Sequence, residues 1–172
     1  TRLLFGGKVP KTDPRCEAYG ATDEAVSAMG LARSFSQHTC IKEILFSVQK
    51  DMFIVGAELA TDHNEYENLR NNYAVITSEM VRRLENLIDG LSEEFDLPDK
   101  FIIPGASPAS SCLDLARSLL RTGERRVVAL NQRGLLHNVE VLRYLNRLSD
   151  LLFMLARYED KDLPFEILTG EE

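Results

Sequence analysis

The stretch Asn138–Tyr158 reads NVEVLRYLNRLSDLLFMLARY, and leucines recur in it at intervals of three or four residues, at positions 142, 145, 148, 152 and 155. Because an α-helix has about 3.6 residues per turn, this spacing places the leucines on one face. An apolar face of that kind packs against the core of a folded domain. No glycine or proline interrupts the stretch, so it predicts one continuous helix.

Four earlier segments predict helices of the same kind. Residues 18–35 are rich in Ala, Met, Leu and Val and lack proline, and 41–60 and 73–95 carry apolar residues at helical spacing. Ser107 followed by Pro108 is typical of an N-cap and the first position of a helix, and an apolar stripe follows it. Strand-like alternation is nearly absent. The sequence therefore predicts an all-α fold, a five-helix antiparallel bundle.

The remaining segments predict connections between these helices. They are the polar stretch 61–72, the stretch 96–106 with its two prolines, and the stretch 131–137. The first fifteen residues contain two adjacent glycines and two prolines, which predicts an irregular N-terminal segment. Since no internal repeat or linker is evident, we expect a single domain over residues 1–172.

Composition excludes several classes of function. The net charge of −7 disfavours a general nucleic-acid-binding protein, which would carry a basic surface. No apolar run approaches the roughly 20 residues of a membrane helix, and nothing resembles a signal peptide, so we expect no membrane partner. The three cysteines form no CxxC pair and predict neither a disulfide framework nor a zinc site. We expect a cytoplasmic location, or the mitochondrial matrix if the protein is eukaryotic.

Positive charge is concentrated in one part of this acidic chain. Between Arg117 and Arg147 there are seven arginines, no lysine, and only two acidic residues, Glu124 and Glu140. Arginine presents a planar fork of donors that suits two-point contact with a carboxylate or a phosphate. The cluster therefore predicts a local site for an anionic ligand.

Within this region, four charged residues share one face of the predicted helix: Arg117, Arg121, Glu124 and Arg125. One interpretation is a ladder of surface salt bridges between successive turns. The other is a clamp for a polyphosphate, in which Glu124 orients an arginine or binds a ribose or a metal. A single acid among several arginines favours the clamp, because a pure ladder would balance its charges.

A second group lies on the last predicted helix and comprises Asn146, Ser149, Asp150 and Phe153. Asn146 and Asp150 are one turn apart, beside the leucine face. Asparagine is a poor helix former, so a position inside a helix suggests a specific role for it. Either it is a hydrogen-bonded polar group between helices, or it contacts a ligand.

Two further segments carry weaker signals. The apolar run Phe101–Gly105 precedes the fourth helix, and Phe101 is either a plug of the core or a ligand contact. Gly6 and Gly7 precede Lys8, which is far short of a phosphate-binding loop motif. None of the three histidines follows a glutamate by three residues, so the ExxH pattern of a di-iron bundle is absent.

Four stretches in this order give the chain a family resemblance. They are Lys11–Arg15 running into Ala18–Glu24, then Phe101–Gly105, Ala116–Arg126 and Tyr144–Asp150. With these motifs the sequence resembles the PduO-type cob(I)alamin adenosyltransferases over nearly its whole length. The resemblance implies a ferritin-like helical bundle that transfers the 5′-deoxyadenosyl group of ATP to cob(I)alamin and releases triphosphate.

The resemblance also implies roles for individual residues. Residues expected to bind ATP, which would enter with Mg²⁺, are Thr1, Arg2, Lys11, Arg121, Thr122, Gly123, Glu124, Arg125 and Asn146. Arg121, Glu124 and Phe101 would be catalytic, the last by displacing the lower axial base of the corrinoid. Asp23 and Arg117 would pair across subunits at the corrinoid pocket, which also holds Phe101. Ser149 and Asp150 would support the site, and no metal site made of protein side chains is expected.

The family further implies a homotrimer with active sites between subunits, and a reductase and a cobalamin-dependent mutase or dehydratase as partners. The sequence departs from the family pattern in three places. It starts at what resembles the last Thr of a Gly-rich phosphate loop, Thr122 replaces a usual arginine, and Ala106 replaces a usual glycine. The first two departures favour one alternative, a non-catalytic bundle that binds a nucleotide or corrinoid as a sensor or carrier. A second alternative is a purely structural oligomerisation bundle, in which the arginine face is only a subunit interface.

Overall fold

Six α-helices make up most of the chain in the computed structural model, which describes residues 1–164 and 166–168. They are α1 (Pro14–Phe35), α2 (Thr39–Ala60), α3 (Tyr66–Asn72), α4 (Ser78–Ser92), α5 (Pro108–Gln132) and α6 (Glu140–Glu159). The five long helices are those that the sequence predicts, so the predicted bundle is confirmed. The short helix α3 lies in the stretch expected to be a connection. Within the described residues, extended pairing is limited to isolated bridges.

Capping residues explain where several helices begin. The Ser107 hydroxyl accepts from the Ser110 backbone N–H at 3.2 Å and Pro108 follows it, which confirms the cap predicted there. The prediction that the third long helix begins at Tyr73 was wrong. Tyr73 has extended backbone after α3, and α4 starts only after Thr77, whose hydroxyl caps it. Apolar spacing alone does not locate a cap, which explains the five-residue error.

The leucine face of α6 lies at the centre of the bundle. Leu145, Leu148, Leu152 and Leu155 are fully buried, and Leu142 is partly buried. Helix α6 packs between α5 and α4, while α1 packs between α2 and α5. No helix of the described chain is long and apolar enough to cross a membrane.

Helices α1 and α5 approach each other closely at Gly123. A Cβ atom at this position would lie 3.3 Å from Thr22 Cγ2 and 3.6 Å from the carbonyl carbon of Ala21. Gly123 is buried, so no side chain separates the two backbones there. The contact fixes α5, and the arginines on its other faces, directly against α1.

The N-terminal segment folds back on itself and lies on the end of α2. Thr1 and Val9 exchange backbone hydrogen bonds of 3.0 and 2.9 Å. Leu4 donates to the Ala60 carbonyl at 2.7 Å and accepts from the Asp62 N–H at 3.2 Å. A Cβ at Gly6 would lie 2.5 Å from Asp62 Cβ, so glycine is needed for this close approach. The irregular segment is thus joined to the bundle at a defined place.

A buried carboxylate holds this end of the bundle together. Glu58 of α2 accepts three hydrogen bonds: 2.7 Å from the Tyr66 hydroxyl, 2.6 Å from the Ile76 N–H and 2.9 Å from Asn138 Nδ2. These four residues, the Glu58 cluster, join α2 to α3, to the start of α4 and to the start of α6. Burial raises the pKa of the Glu58 carboxyl, although its three hydrogen bonds oppose the shift.

Candidate active site

A cavity of about 540 Å³ opens between α4, α5 and α6. We call it the arginine cavity, and its lining residues are Glu85, Ile88, Asp89, Arg117, Arg121, Arg147, Ser149, Asp150, Phe153 and Met154. Two predicted groups of residues therefore meet in one place. Arg117 and Arg121 come from the charged face of α5, while Ser149 and Asp150 come from α6.

Arg117 is held by a buried acid. Its Nε donates to Asp114 Oδ1 at 3.1 Å, one turn earlier on α5. The other oxygen of Asp114 pairs with Arg157 of α6. The side chains of Asp114 and Arg157 are only 6% and 3% exposed, whereas that of Arg117 is 27% exposed. Arg117 is thus fixed at its buried side and accessible from the cavity.

Arg147 and Arg121 differ in how much of their charge is compensated. Arg147 donates to Glu85 Oε1 at 3.0 Å and to Asp150 Oδ2 at 3.1 Å, and these bonds raise the pKa of Arg147. Arg121 is exposed and makes no hydrogen bond or ion pair within residues 1–164 and 166–168. Of the arginines in this cavity, Arg121 is therefore the most available to an incoming anion.

The predicted nucleotide-binding residues of α5 and α6 lie beside Arg121. Asn146 Nδ2 donates to Glu124 Oε1 at 3.1 Å, which joins the two predicted groups directly. Arg125 Nη2 donates to the Thr122 hydroxyl at 3.0 Å. Gly123 lies on the opposite side of α5, against α1, so the structure gives it a packing role. The Glu124–Asn146 bond makes Asn146 a hydrogen-bonded polar group between α5 and α6, as one of its two interpretations predicts, and its side chain is also exposed.

The other predicted contacts lie elsewhere on the chain. Thr1, Arg2 and Lys11 are exposed on the N-terminal segment, and none is joined to residues 121–125 by a hydrogen bond or ion pair in the described chain. Asp23 lines an apolar groove between α1 and α2. Within one chain, the structure therefore brings together neither Asp23 and Arg117 nor the two parts of the expected nucleotide site.

Phe101 is 84% exposed, so the interpretation of this residue as a plug of the core was wrong. Its loop is paired with a segment near the end of the chain: Ile103 donates to the Glu166 carbonyl at 2.7 Å, and Leu168 donates to the Phe101 carbonyl at 2.9 Å. Ile103 of the same loop and Leu168 of the paired segment are also exposed, and a group of exposed apolar side chains is typical of a contact surface.

Sequence reasoning did not single out Arg147, Glu85 or Asp114. Arg147 belongs to the arginine-rich region, but its composition does not say which arginines face a cavity. Glu85 lies on α4, and its local spacing gives no sign of a partner 62 residues later. In the part of the chain that the structure describes, no group of three or more His, Cys, Asp or Glu residues is placed to hold a metal ion.

The sequence model that describes cobalamin adenosyltransferases matches residues 1–159. The chain belongs to this family. A corrinoid adenosyltransferase of Citrobacter freundii is 38% identical over 161 residues, which cover 93% of this chain and 89% of that protein. The corrinoid adenosyltransferase PduO of Salmonella typhimurium is 40% identical over 162 residues, or 94% of this chain, but these span only 47% of its own length.

A solved structure of a family member resembles this chain over nearly its whole length. It is a variant of the PduO-type ATP:corrinoid adenosyltransferase from Lactobacillus reuteri complexed with cobalamin and ATP. The TM-score is 0.88 at 30% sequence identity, with 99% of this chain and 94% of that chain covered. The comparisons confirm the predicted family and the predicted class of activity, and they do not favour a sensor, a carrier or a purely structural bundle.

Proposed function

We propose that the protein transfers the 5′-deoxyadenosyl group of ATP to the cobalt of cob(I)alamin. The electron pair of Co(I) forms the cobalt–carbon bond at C5′, and the C5′–oxygen bond breaks. Triphosphate leaves with the electron pair of that C5′–oxygen bond. The observation that carries the proposal is Arg121, which has no side-chain partner among the described residues. It lies at the mouth of the arginine cavity, beside the Glu124–Asn146 bond, in a chain of this family.

The reaction needs little proton transfer, because the nucleophile carries no proton and the leaving group departs as an anion. The protein must hold cobalt, C5′ and the leaving oxygen in line and stabilise the growing charge on the triphosphate. Arg121 and Arg125 are exposed on α5 and supply that positive charge. Glu124, held by Asn146, accepts hydrogen bonds from the ribose. Mg²⁺ enters as the ATP complex, since it binds phosphates and keeps several waters.

The corrinoid lies over Phe101 and Arg117 in this proposal. The exposed ring of Phe101 takes the place of the lower axial base, and the four-coordinate Co(II) that results is easier to reduce to Co(I). The protein's contribution is a hydrophobic surface that excludes the base and water. Ser149, which is buried, and Asp150 line the same cavity as Arg117.

We also propose that the working form is a homotrimer with each site between two subunits. Two observations support it: Asp23 and the N-terminal residues lie away from the arginine cavity in one chain, and the α1–α2 face exposes large apolar side chains. These are Leu31, Phe35, Phe46 and Phe53, the last 69% exposed. Several large exposed apolar side chains on two neighbouring helices favour a protein interface. In the trimer, Asp23 of one subunit pairs with Arg117 of the next.

The proposal extends to the setting of the reaction. We propose a single domain over residues 1–172, and the buried core that the long helices share in the described residues supports it; residues 165 and 169–172 lie outside the described part. The three free cysteines fit a reducing compartment, the cytoplasm or the mitochondrial matrix. A reductase supplies Co(II) or Co(I) corrinoid, and a cobalamin-dependent mutase or dehydratase consumes the product.

The test is to incubate the protein with ATP, Mg²⁺ and chemically reduced cobalamin and to follow the visible spectrum. We expect conversion of the cob(I)alamin spectrum to that of an alkylcobalamin, with one triphosphate released per turnover. ADP, or pyrophosphate with phosphate, as the primary product would reject the proposed chemistry. Binding of ATP and corrinoid without turnover would favour the sensor or carrier alternative.

A further inference from the structure

The acid that holds Arg117 has an unusual place in the bundle. Asp114 is 5% exposed and accepts from two arginines on two helices, Arg117 of its own helix and Arg157 of α6. The guanidinium of Arg157 lies 5.3 Å from the ring centre of Phe153, which lines the arginine cavity. The pair Asp114–Arg157 thus connects the buried interior with two side chains at the cavity wall.

The charges in this group do not balance. One carboxylate faces two guanidinium groups, so the three residues carry a net positive charge, and the exposed part of that charge is on Arg117. A buried carboxylate without a cation would be costly, and Arg157 removes that cost. Asp114 can therefore orient Arg117 while its other oxygen is held by Arg157.

We infer that Asp114 and Arg157 are positioning residues that hold the Arg117 guanidinium in the orientation needed for corrinoid binding. The inference rests on the proposed function, in which Arg117 lies at the corrinoid pocket. Without Asp114, the long side chain of Arg117 samples several rotamers, and binding must then order it. The defect therefore falls on corrinoid affinity and leaves the nucleotide contacts near Arg121 unchanged.

The experiment compares two variants. Asp114→Leu leaves Arg157 buried without a partner. This variant therefore loses stability as well as the contact to Arg117. Asp114→Leu with Arg157→Met removes the whole buried ion pair, and such replacements by apolar residues are often neutral for stability. We expect urea midpoints to recover in the double variant, while KM for cob(I)alamin stays about tenfold above wild type, as for loss of one charge-assisted hydrogen bond. KM for ATP should stay within about twofold of wild type.

A matched control is Asp51→Leu. Asp51 is 7% exposed and pairs with Arg83 and with the Tyr144 hydroxyl, but it does not line the arginine cavity. This variant should lose stability with an unchanged corrinoid KM. A wild-type corrinoid KM in the double variant, or an equal rise in the control, would overturn the inference. A wild-type protein without turnover would instead reject the proposed function and the inference with it.

Discussion

Glu58 and Asp114 are both buried carboxylates, but their partners differ in kind. Glu58 accepts from a hydroxyl, a backbone N–H and an amide, all of them neutral. Asp114 accepts from two arginines. In the first case burial raises the pKa of the carboxyl, because no cation compensates the loss of water. The Glu58 cluster contains no charge that could serve a ligand, whereas the Asp114 group presents Arg117 to a cavity.

This difference indicates that the Glu58 cluster stabilises the fold, whereas the Asp114 group holds an arginine for a ligand. The Glu58 cluster lies where α2 ends and α6 begins, and it fixes the end on which the N-terminal segment rests. The arginine cavity lies between α4, α5 and α6, and three arginines and three acids line it. We expect substitutions in the cavity to lower activity and substitutions in the Glu58 cluster to lower stability.

The largest effect is expected from Arg121→Ala and Glu124→Ala. Both side chains lie outside the buried core, so the fold should be retained. Loss of one electrostatic contact to a developing charge typically costs on the order of 10²-fold or more in rate. Steady-state kinetics with varied ATP measures this loss. Arg133→Ala, an exposed arginine at the end of the same helix, is the matched control and should behave as wild type. Near-normal kinetics in both variants would show that the clamp is assigned to the wrong residues.

A smaller effect, on the corrinoid and on assembly, is expected at Asp23 and Arg117. Asp23→Asn or Arg117→Ala should lower corrinoid affinity and loosen the trimer, because each leaves a charge without its partner. The charge swap, Asp23→Arg with Arg117→Asp, should recover part of the loss. A double-mutant cycle on corrinoid binding, with the oligomer mass of each variant, measures the interaction. Strictly additive effects would mean that the two residues do not meet, and a monomeric wild type would remove the intersubunit site.

Phe101→Ala tests whether the exposed loop contributes to activity without contributing to stability. Since the ring is 84% exposed, its loss should leave the melting temperature and ATP binding nearly unchanged. Turnover from cob(II)alamin with a mild reductant should fall, and the defect should shrink with cobinamide, which has no lower base to displace. Equal losses with the two corrinoids would contradict a role in removing that base.

The smallest effect on activity is expected from Glu58→Gln. The amide cannot accept from all three donors, and an unsatisfied buried group costs about 1–3 kcal/mol, measurable by urea unfolding. At equal amounts of folded protein, turnover should remain within about twofold of wild type, as for substitutions outside a site. A loss of turnover as large as that of Arg121→Ala would contradict the assignment of the Glu58 cluster to stability alone.

The same variant tests the titration of Glu58. Its carboxyl pKa is raised above the ordinary value of 4.5 by burial, so the folded state binds the proton more tightly than the unfolded state. Stability from this group is therefore present below about pH 4.5 and decreases as pH rises through the folded-state pKa. The wild-type minus Glu58→Gln difference in unfolding free energy should decrease over that range. A difference that increases with pH would reverse the sign of the shift.

Local sequence patterns predicted the helices well and their partners poorly. The leucine face of α6 and the Ser107 cap depend on neighbours a few residues away, and both were found. The start of α4 was missed because Tyr73 fits the apolar spacing although its backbone is extended. The Asp114–Arg157 and Glu58–Asn138 pairs join residues 43 and 80 positions apart, and no periodicity encodes such a pairing. The arginine-rich region pointed to an anion site, but only the packing of α4 onto α6 shows its shape.

The close approach at Gly123 has a mechanical consequence. Because Gly123 has no side chain that could change rotamer and its backbone lies close to that of Ala21 and Thr22, a shift of α5 at this point is transmitted to α1. Helix α5 carries Arg121 and Glu124, while α1 carries Asp23 next to the contact residue Thr22. In the proposed trimer, Arg121 and Glu124 belong to one site and Asp23 belongs to another. The closely packed pair of α1 and α5 therefore connects two neighbouring sites rigidly. In that trimer we expect occupation of one site to change the affinity of the next, and linkage requires that the second change the first equally.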